Sequence, residues 1–150
     1  MQQFKQKVFQ HYQQLLDDKI ASLQKILDDL KESGANETKS TAGDKHETAL
    51  AMLQIEQANK RAQMQELLEQ KAVLNKIDPT VIPVQVTNGT LLQTNKCYFF
   101  MSVALGKALI DNITVIALSA QSPLGKILMG LKKGAVASFN QTQYIIEEIF

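Results

Sequence analysis

The sequence predicts an α+β fold: an N-terminal antiparallel coiled-coil helical hairpin over residues 1–77, then a small α+β domain over 78–150. Three observations predict it. Residues 2–33 contain neither Pro nor Gly and carry leucines and an isoleucine at alternating spacings of four and three. Residues 44–76 form a second stretch without Pro or Gly. After Asp78-Pro79-Thr80-Val81-Ile82-Pro83 the chain changes to short segments rich in β-branched and aromatic residues. The first two are helical signals and the last a strand signal.

In the first stretch Leu16, Ile20, Leu23, Leu27 and Leu30 define a coiled-coil seam. Phe9 lies one heptad earlier, and Gln13 interrupts the position between. In the second stretch Leu53, Ile55, Ala58, Ala62, Met64, Leu67, Leu68 and Leu74 are apolar, but their spacing does not fix a register. Two long helices joined by about ten polar residues fold back on each other because each stripe needs the other to leave water. The tip of this hairpin is read at 34–47. A helix of about 30 residues is about 45 Å long, a shape suited to reaching.

Pro79 and Pro83 end the helical region and bias the residues before them toward extended backbone. Strands are expected at 84–87, 96–103, 113–118, 136–139 and 143–149. Between the third and fourth, Ser122 stands in N-cap position, Pro123 at the first helical residue and Gly130 at the end, which predicts a short helix.

The 150 residues carry 16 Lys and Arg against 15 Asp and Glu, so no whole-molecule field selects nucleic acid or an anionic membrane. A single Cys97 excludes an internal disulfide and supplies no C-x-x-C pair, which fits a reducing compartment, with cytoplasm the expected location. No apolar run approaches the roughly 20 residues needed to span a bilayer, so no membrane partner is expected. Gly125, Lys126 and Gly130 do not make a phosphate loop, because Leu131 follows the second Gly where Lys is required. With no Ser-His-Asp pattern, zinc-ligand cluster or dinucleotide fingerprint, a self-contained enzyme is not expected.

Asp44 and Glu47, three apart within Gly43-Asp44-Lys45-His46-Glu47, admit two readings. An N-cap Asp with Glu three residues on matches a capping box. The same spacing puts two hard oxygen ligands side by side, half of a Mg²⁺ site that a partner would complete. His46 has no second His or Cys nearby and is read as a surface residue. Lys39, Ser40, Thr41 and Lys45 serve either loop solubility or a phosphate contact. Lys60 and Arg61 offer a nucleic-acid or acidic-protein contact, or with Glu56 and Glu66 a solvated face. Cys97, in Cys97-Tyr98-Phe99-Phe100, is read as a strand residue, since no His follows it in the chain to activate a thiol.

These residues resemble a family, the bacterial Gre transcript-cleavage factors (GreA/GreB-like transcription elongation factors). The likeness rests on a G-D-x-x-E motif at Gly43–Glu47 opening the second helix. Ser122-Pro123-Leu124, Leu128-Met129-Gly130, Lys133-Gly134 and the closing Tyr144-Ile145-Ile146 then follow in family order over nearly the whole chain. It implies an FKBP-like C-terminal domain and a monomer that binds RNA polymerase through its secondary channel, with the hairpin tip near the nascent RNA 3′ end. Asp44 and Glu47 would be metal ligands and catalytic residues, sharing with the polymerase a Mg²⁺ that neither holds alone. The chain would thereby stimulate the polymerase's own cleavage of backtracked RNA. Lys60, Arg61, Ser122 and Pro123 would be polymerase or RNA contacts. Where the family often continues N-A-[DE]-Y, this chain has Thr48-Ala49-Leu50-Ala51 and keeps only the Ala. A channel-binding regulator without cleavage activity therefore stays open, as does a coiled-coil protein-interaction module in which Asp44 and Glu47 only cap. A peptidyl-prolyl isomerase is suggested by fold analogy alone and lacks a Trp to floor its pocket.

Overall fold

The computed structural model describes residues 1–38 and 44–150, with side chains described for 1–35 and 47–150. Two long helices, α1 (Gln2–Thr38) and α2 (Asp44–Asn75), precede strands β1 (Leu91–Thr94), β2 (Tyr98–Ser102), β3 (Gly106–Ile110) and β4 (Ile113–Ser119). A short helix α3 (Pro123–Leu128) and strands β5 (Val136–Phe139) and β6 (Thr142–Ile149) follow. The arrangement is α+β. It divides into two compact units, one of residues 1–14 with 71–150 and one of residues 15–70.

That division differs from the boundary the prolines suggested at 77/78. Both helices contribute their outer ends to the sheet unit, because α1 begins with a face of Phe4, Val8, Phe9 and Tyr12 that is buried there. Phe4 meets Tyr98 edge-on with ring centroids 5.7 Å apart, and Tyr12 stacks on Phe100 at 6.1 Å. Lys5, also buried, donates from Nζ to the Val81 carbonyl at 2.6 Å and ties the segment after α2 to α1. Burial pushes the Lys5 ammonium below its usual range, and the nearby Asp78 carboxylate opposes that shift.

The six strands run in the order β3-β4-β2-β1-β6-β5, with β2 and β4 parallel and the other neighbours antiparallel. Register sorts the side chains. Phe99 lies opposite Leu92 and Ile116, and Met101 opposite Leu118. This set joins Leu128, Val86, Ala137 and Ile146 in one cluster beneath α3. Phe100, opposite Leu91 and Ala117, faces the start of α1 instead. The centre of the sheet is thus covered on both faces, which is why Tyr98-Phe99-Phe100-Met101 reads as a continuous apolar run rather than an alternation.

The expected strands at 96–103, 113–118, 136–139 and 143–149 are present. The expected strand at 84–87 is absent: Val86 instead exchanges two backbone hydrogen bonds with the turn after α3, at Gly130 and Leu131, and its side chain enters the core. Two strands not expected, β1 and β3, complete the sheet. β3 reaches β4 through Asp111-Asn112, and β5 reaches β6 through Asn140-Gln141, each pair with both φ values positive, the two-residue turn that matches strand twist.

In the unit of residues 15–70 the helices run antiparallel, since Leu15, Leu23 and Ile26 line one groove with Lys60, Gln63 and Leu67, and Ser33 lines another with Ala49, Leu53 and Glu56. The α1 seam is the expected one, with Leu23 buried and Ile20, Leu27 and Leu30 half-buried. α1 runs into the expected tip at 34–47: Gly34 is helical, and the helix continues to Thr38. No helix among the described residues is long and apolar enough to cross a membrane.

Candidate functional site

The candidate site is the beginning of α2. Its first residue is Asp44, so Asp44 and Glu47 both lie in the first helical turn. There the N–H groups that lack intrahelical partners and the positive end of the helix dipole favour carboxylates. Glu47 is exposed. The Asp44 side chain lies outside the described residues, as do Lys39, Ser40 and Thr41 entirely and the side chains of Lys45 and His46.

The chemistry of this donor set fits a hard divalent cation in part. Two carboxylates are oxygen ligands of the type Mg²⁺ takes, but Mg²⁺ demands six-fold coordination and usually completes it with water and a partner's oxygens. Among the described residues no group of three or more His, Cys, Asp or Glu converges elsewhere. Leu50, where the resembling family often carries an acid, is half-buried on the seam face of α2 and supplies no third carboxylate.

The other anticipated contact residues are not brought into this turn. Lys60 stands at a seam position and lines a groove of about 480 Å³ between the helices, with Asp18, Lys19 and Glu66 among its neighbours. Arg61 is exposed beside it. Ser122 and Pro123 belong to the sheet unit. There the Ser122 hydroxyl accepts from the Gly125 N–H at 3.0 Å and donates to the Ser119 carbonyl at 2.6 Å. Its oxygen is the N-cap of α3, and Pro123 takes the first position, where a missing N–H costs nothing.

Cys97 is half-buried and packs against the core cluster under α3. Burial pushes its thiol up, only partly opposed by Lys107 and the hydrogen bond from Thr94, the reverse of what a nucleophile needs. Reading the sequence missed Tyr12, whose hydroxyl donates to two carbonyls, Gly106 at 2.9 Å and Val115 at 3.2 Å. It missed Lys5 as well. Neither follows the heptad that marks the rest of α1, and their signal was the departure of that helix's first turns from the seam.

No family model matches the chain, and no curated protein matches it. Among solved structures it is similar to the GreA factor homolog 1 (Gfh1) protein of Thermus thermophilus, at 14% identity and a TM-score of 0.37 over 92% of this chain and 94% of that one. A second structure, of the transcription factor Gfh1, gives 15% identity and a TM-score of 0.34 over 95% and 91%.

Proposed function

We propose that the chain is a Gre-like transcription elongation factor that binds RNA polymerase through its secondary channel and stimulates cleavage of backtracked RNA. One observation carries the reading. The motif Gly43-Asp44-Lys45-His46-Glu47 opens the second of two long helices, so that Asp44 and Glu47 share its first turn, with Glu47 exposed. The capped segment Ser122-Pro123-Leu124 behind it keeps the order of the family motifs.

In this reading Asp44 and Glu47 supply oxygen ligands, and the polymerase supplies the rest. A Mg²⁺ held jointly would act as a Lewis acid on the attacking and leaving oxygens of the phosphodiester. The two carboxylates orient it, and the helix start fixes where they stand, so capping and ligation are compatible uses of Asp44. The chain itself is then no nuclease but an activator of one.

Leu50 favours a second reading, a channel-binding regulator without cleavage activity. Its side chain is committed to the helix seam at a position where the family often has a carboxylate. Backtracked elongation complexes separate the two. The purified chain is expected to bind core polymerase and shorten the RNA from its 3′ end. Asp44→Asn, which keeps a good N-cap and weakens a Mg²⁺ ligand, is expected to retain binding and lose at least about tenfold in cleavage rate. Binding without cleavage by the wild-type chain selects the regulator; no binding to core polymerase removes both.

A further inference from the structure

In the unit of residues 15–70 the two helices turn different faces to water. The exposed side of α1 opposite Leu23 carries Asp17, Asp18, Lys25, Asp28, Asp29 and Glu32, the solvated face that an amphipathic helix keeps. The outer side of α2 is different. Ala51, Ile55, Ala58 and Ala62 are all exposed and recur at spacings of four, three and four. Met52 and Leu68, also exposed, flank that row. It lies about halfway round the helix from Leu53 and Gln57, which are half-buried toward α1. α2 thus carries a second heptad that the hairpin leaves unpartnered.

Small residues alone select no partner, but the charges beside this row do. With Ile55 and Ala62 at position a, and Ala51, Ala58 and Gln65 at d, Arg61 falls at g and Glu66 at e of the next heptad. Five residues apart, these two stand about 140° apart round α2 and do not face each other. Neither makes an ion pair among the described residues. Between two parallel copies of α2, position g of one helix meets e of the next heptad on the other. Arg61 then faces Glu66 of the second copy, and the two-fold axis makes the pair twice. Antiparallel copies set g against g and e against e, which brings no opposite charges together.

We propose that the outer face of α2 from Ala51 to Glu66 joins two copies of this chain in a parallel, two-fold coiled coil. The face is complementary to itself, so a second copy satisfies it without calling on another protein. α1 already holds α2 helical, so association does not bear the cost of ordering a helix. The seam is about 22 Å long, is mostly alanine and ends where Glu69 takes the next a position. It buries little apolar area, which makes the dimer weak and reversible. The inference replaces the monomer that the family resemblance implies and does not depend on the polymerase reading.

Sedimentation equilibrium of the full chain from about 10 μM to about 500 μM, the range in which a weak dimer is populated, tests it. The average mass is expected to rise with concentration from that of one chain toward that of two. Ile55→Lys, at an exposed position, should abolish the rise and leave the circular dichroism spectrum unchanged. Arg61→Glu and Glu66→Arg each turn two attractions into two repulsions and should each weaken the dimer by about tenfold. Combined, they should restore it to within about threefold of wild type. Ala51→Cys and Ala58→Cys, introduced one at a time, are each expected to oxidise to a dimer linked at its own position, which only the parallel register allows for both. The parent chain, whose Cys97 is half-buried, is the control. A mass that stays at one chain, a rise that survives Ile55→Lys, a charge swap that fails to restore the dimer, or linkage at only one of the two cysteines overturns the proposal. Core polymerase enters none of these measurements, so their failure leaves the elongation-factor reading standing, and failure of that reading leaves the dimer.

Discussion

Tyr12 shows what a single residue does that the pattern around it does not announce. Its ring lies on Phe100 and its hydroxyl joins the carbonyls of Gly106 and Val115, so one side chain fastens α1 to β2, β3 and β4 together. Burial pushes its pKa up to about 12, and a hydrogen bond with the Ala117 backbone acts in the opposite direction. The folded state therefore holds the phenolic proton more tightly than the unfolded chain, whose tyrosines titrate near 10. The stabilisation is fully present below pH 10 and is lost as pH rises from 10 through 12. Chemical denaturation followed from pH 8 to 12 is expected to show a fall in midpoint over that interval, and Tyr12→Phe should flatten it. An unchanged slope in Tyr12→Phe would remove this assignment. Gly125 makes a complementary point about legibility. Its part in the Ser-Pro-Leu-Gly segment was visible, but the reason was not: a Cβ there would lie 2.0 Å from the Ser119 carbonyl oxygen, so only glycine lets α3 turn back onto the end of β4.

At the scale of elements, the heptad of α1 was legible because apolar residues occupy five successive seam positions. α2 was not, and its burial pattern gives the cause. Eight covered positions, Leu50, Leu53, Gln57, Lys60, Met64, Leu67, Lys71 and Leu74, repeat at a spacing of three and four, and Ala49 and Gln70 beside them are half-buried as well. Three of those eight are polar, while Met52, Ile55 and Leu68 face water at 66%, 63% and 45% exposure. Hydrophobicity alone points along the wrong face. Lys60 is one of these three, a charged residue lining a groove of about 480 Å³ with Leu23 and Ile26 of α1. Lys60→Leu is expected to raise the stability of residues 15–70 by about 1 kcal/mol through added apolar burial, read as a higher denaturation midpoint by far-ultraviolet circular dichroism. A midpoint that falls would show the groove closed to a leucine. Among the strands, β3 escaped notice because it is a five-residue edge beginning at Gly106, with Lys107 and Leu109 exposed and only Ile110 buried. The 84–87 segment, with its two valines, has the composition of a strand but takes its backbone bonds from Gly130 and Leu131 outside the sheet.

For the whole molecule, composition located the change from helix to sheet but not the unit that folds. The face of the sheet formed by Phe100, Leu91, Val115 and Ala117 is covered by Phe4, Val8, Phe9 and Tyr12, residues more than 70 positions earlier in the chain. Cutting at residue 78 strips that cover and also removes the Lys5 and Gln2 bonds to the Val81, Pro79 and Thr80 carbonyls. Deleting a buried Phe or comparable aromatic side chain costs about 3–5 kcal/mol, and here three aromatic residues leave at once, against a total of about 5–15 kcal/mol for a small domain. Residues 78–150 alone are therefore expected to lack a cooperative unfolding transition and to bind hydrophobic dyes. A chain of residues 1–14 joined by a short glycine-serine loop to residues 71–150 keeps every contact named here and is expected to fold and melt as one transition. If residues 78–150 fold cooperatively by themselves, α1 contributes no indispensable part of the sheet's core. If instead the joined chain fails while the full chain folds, residues 15–70 stabilise the sheet by more than the contacts that define its unit.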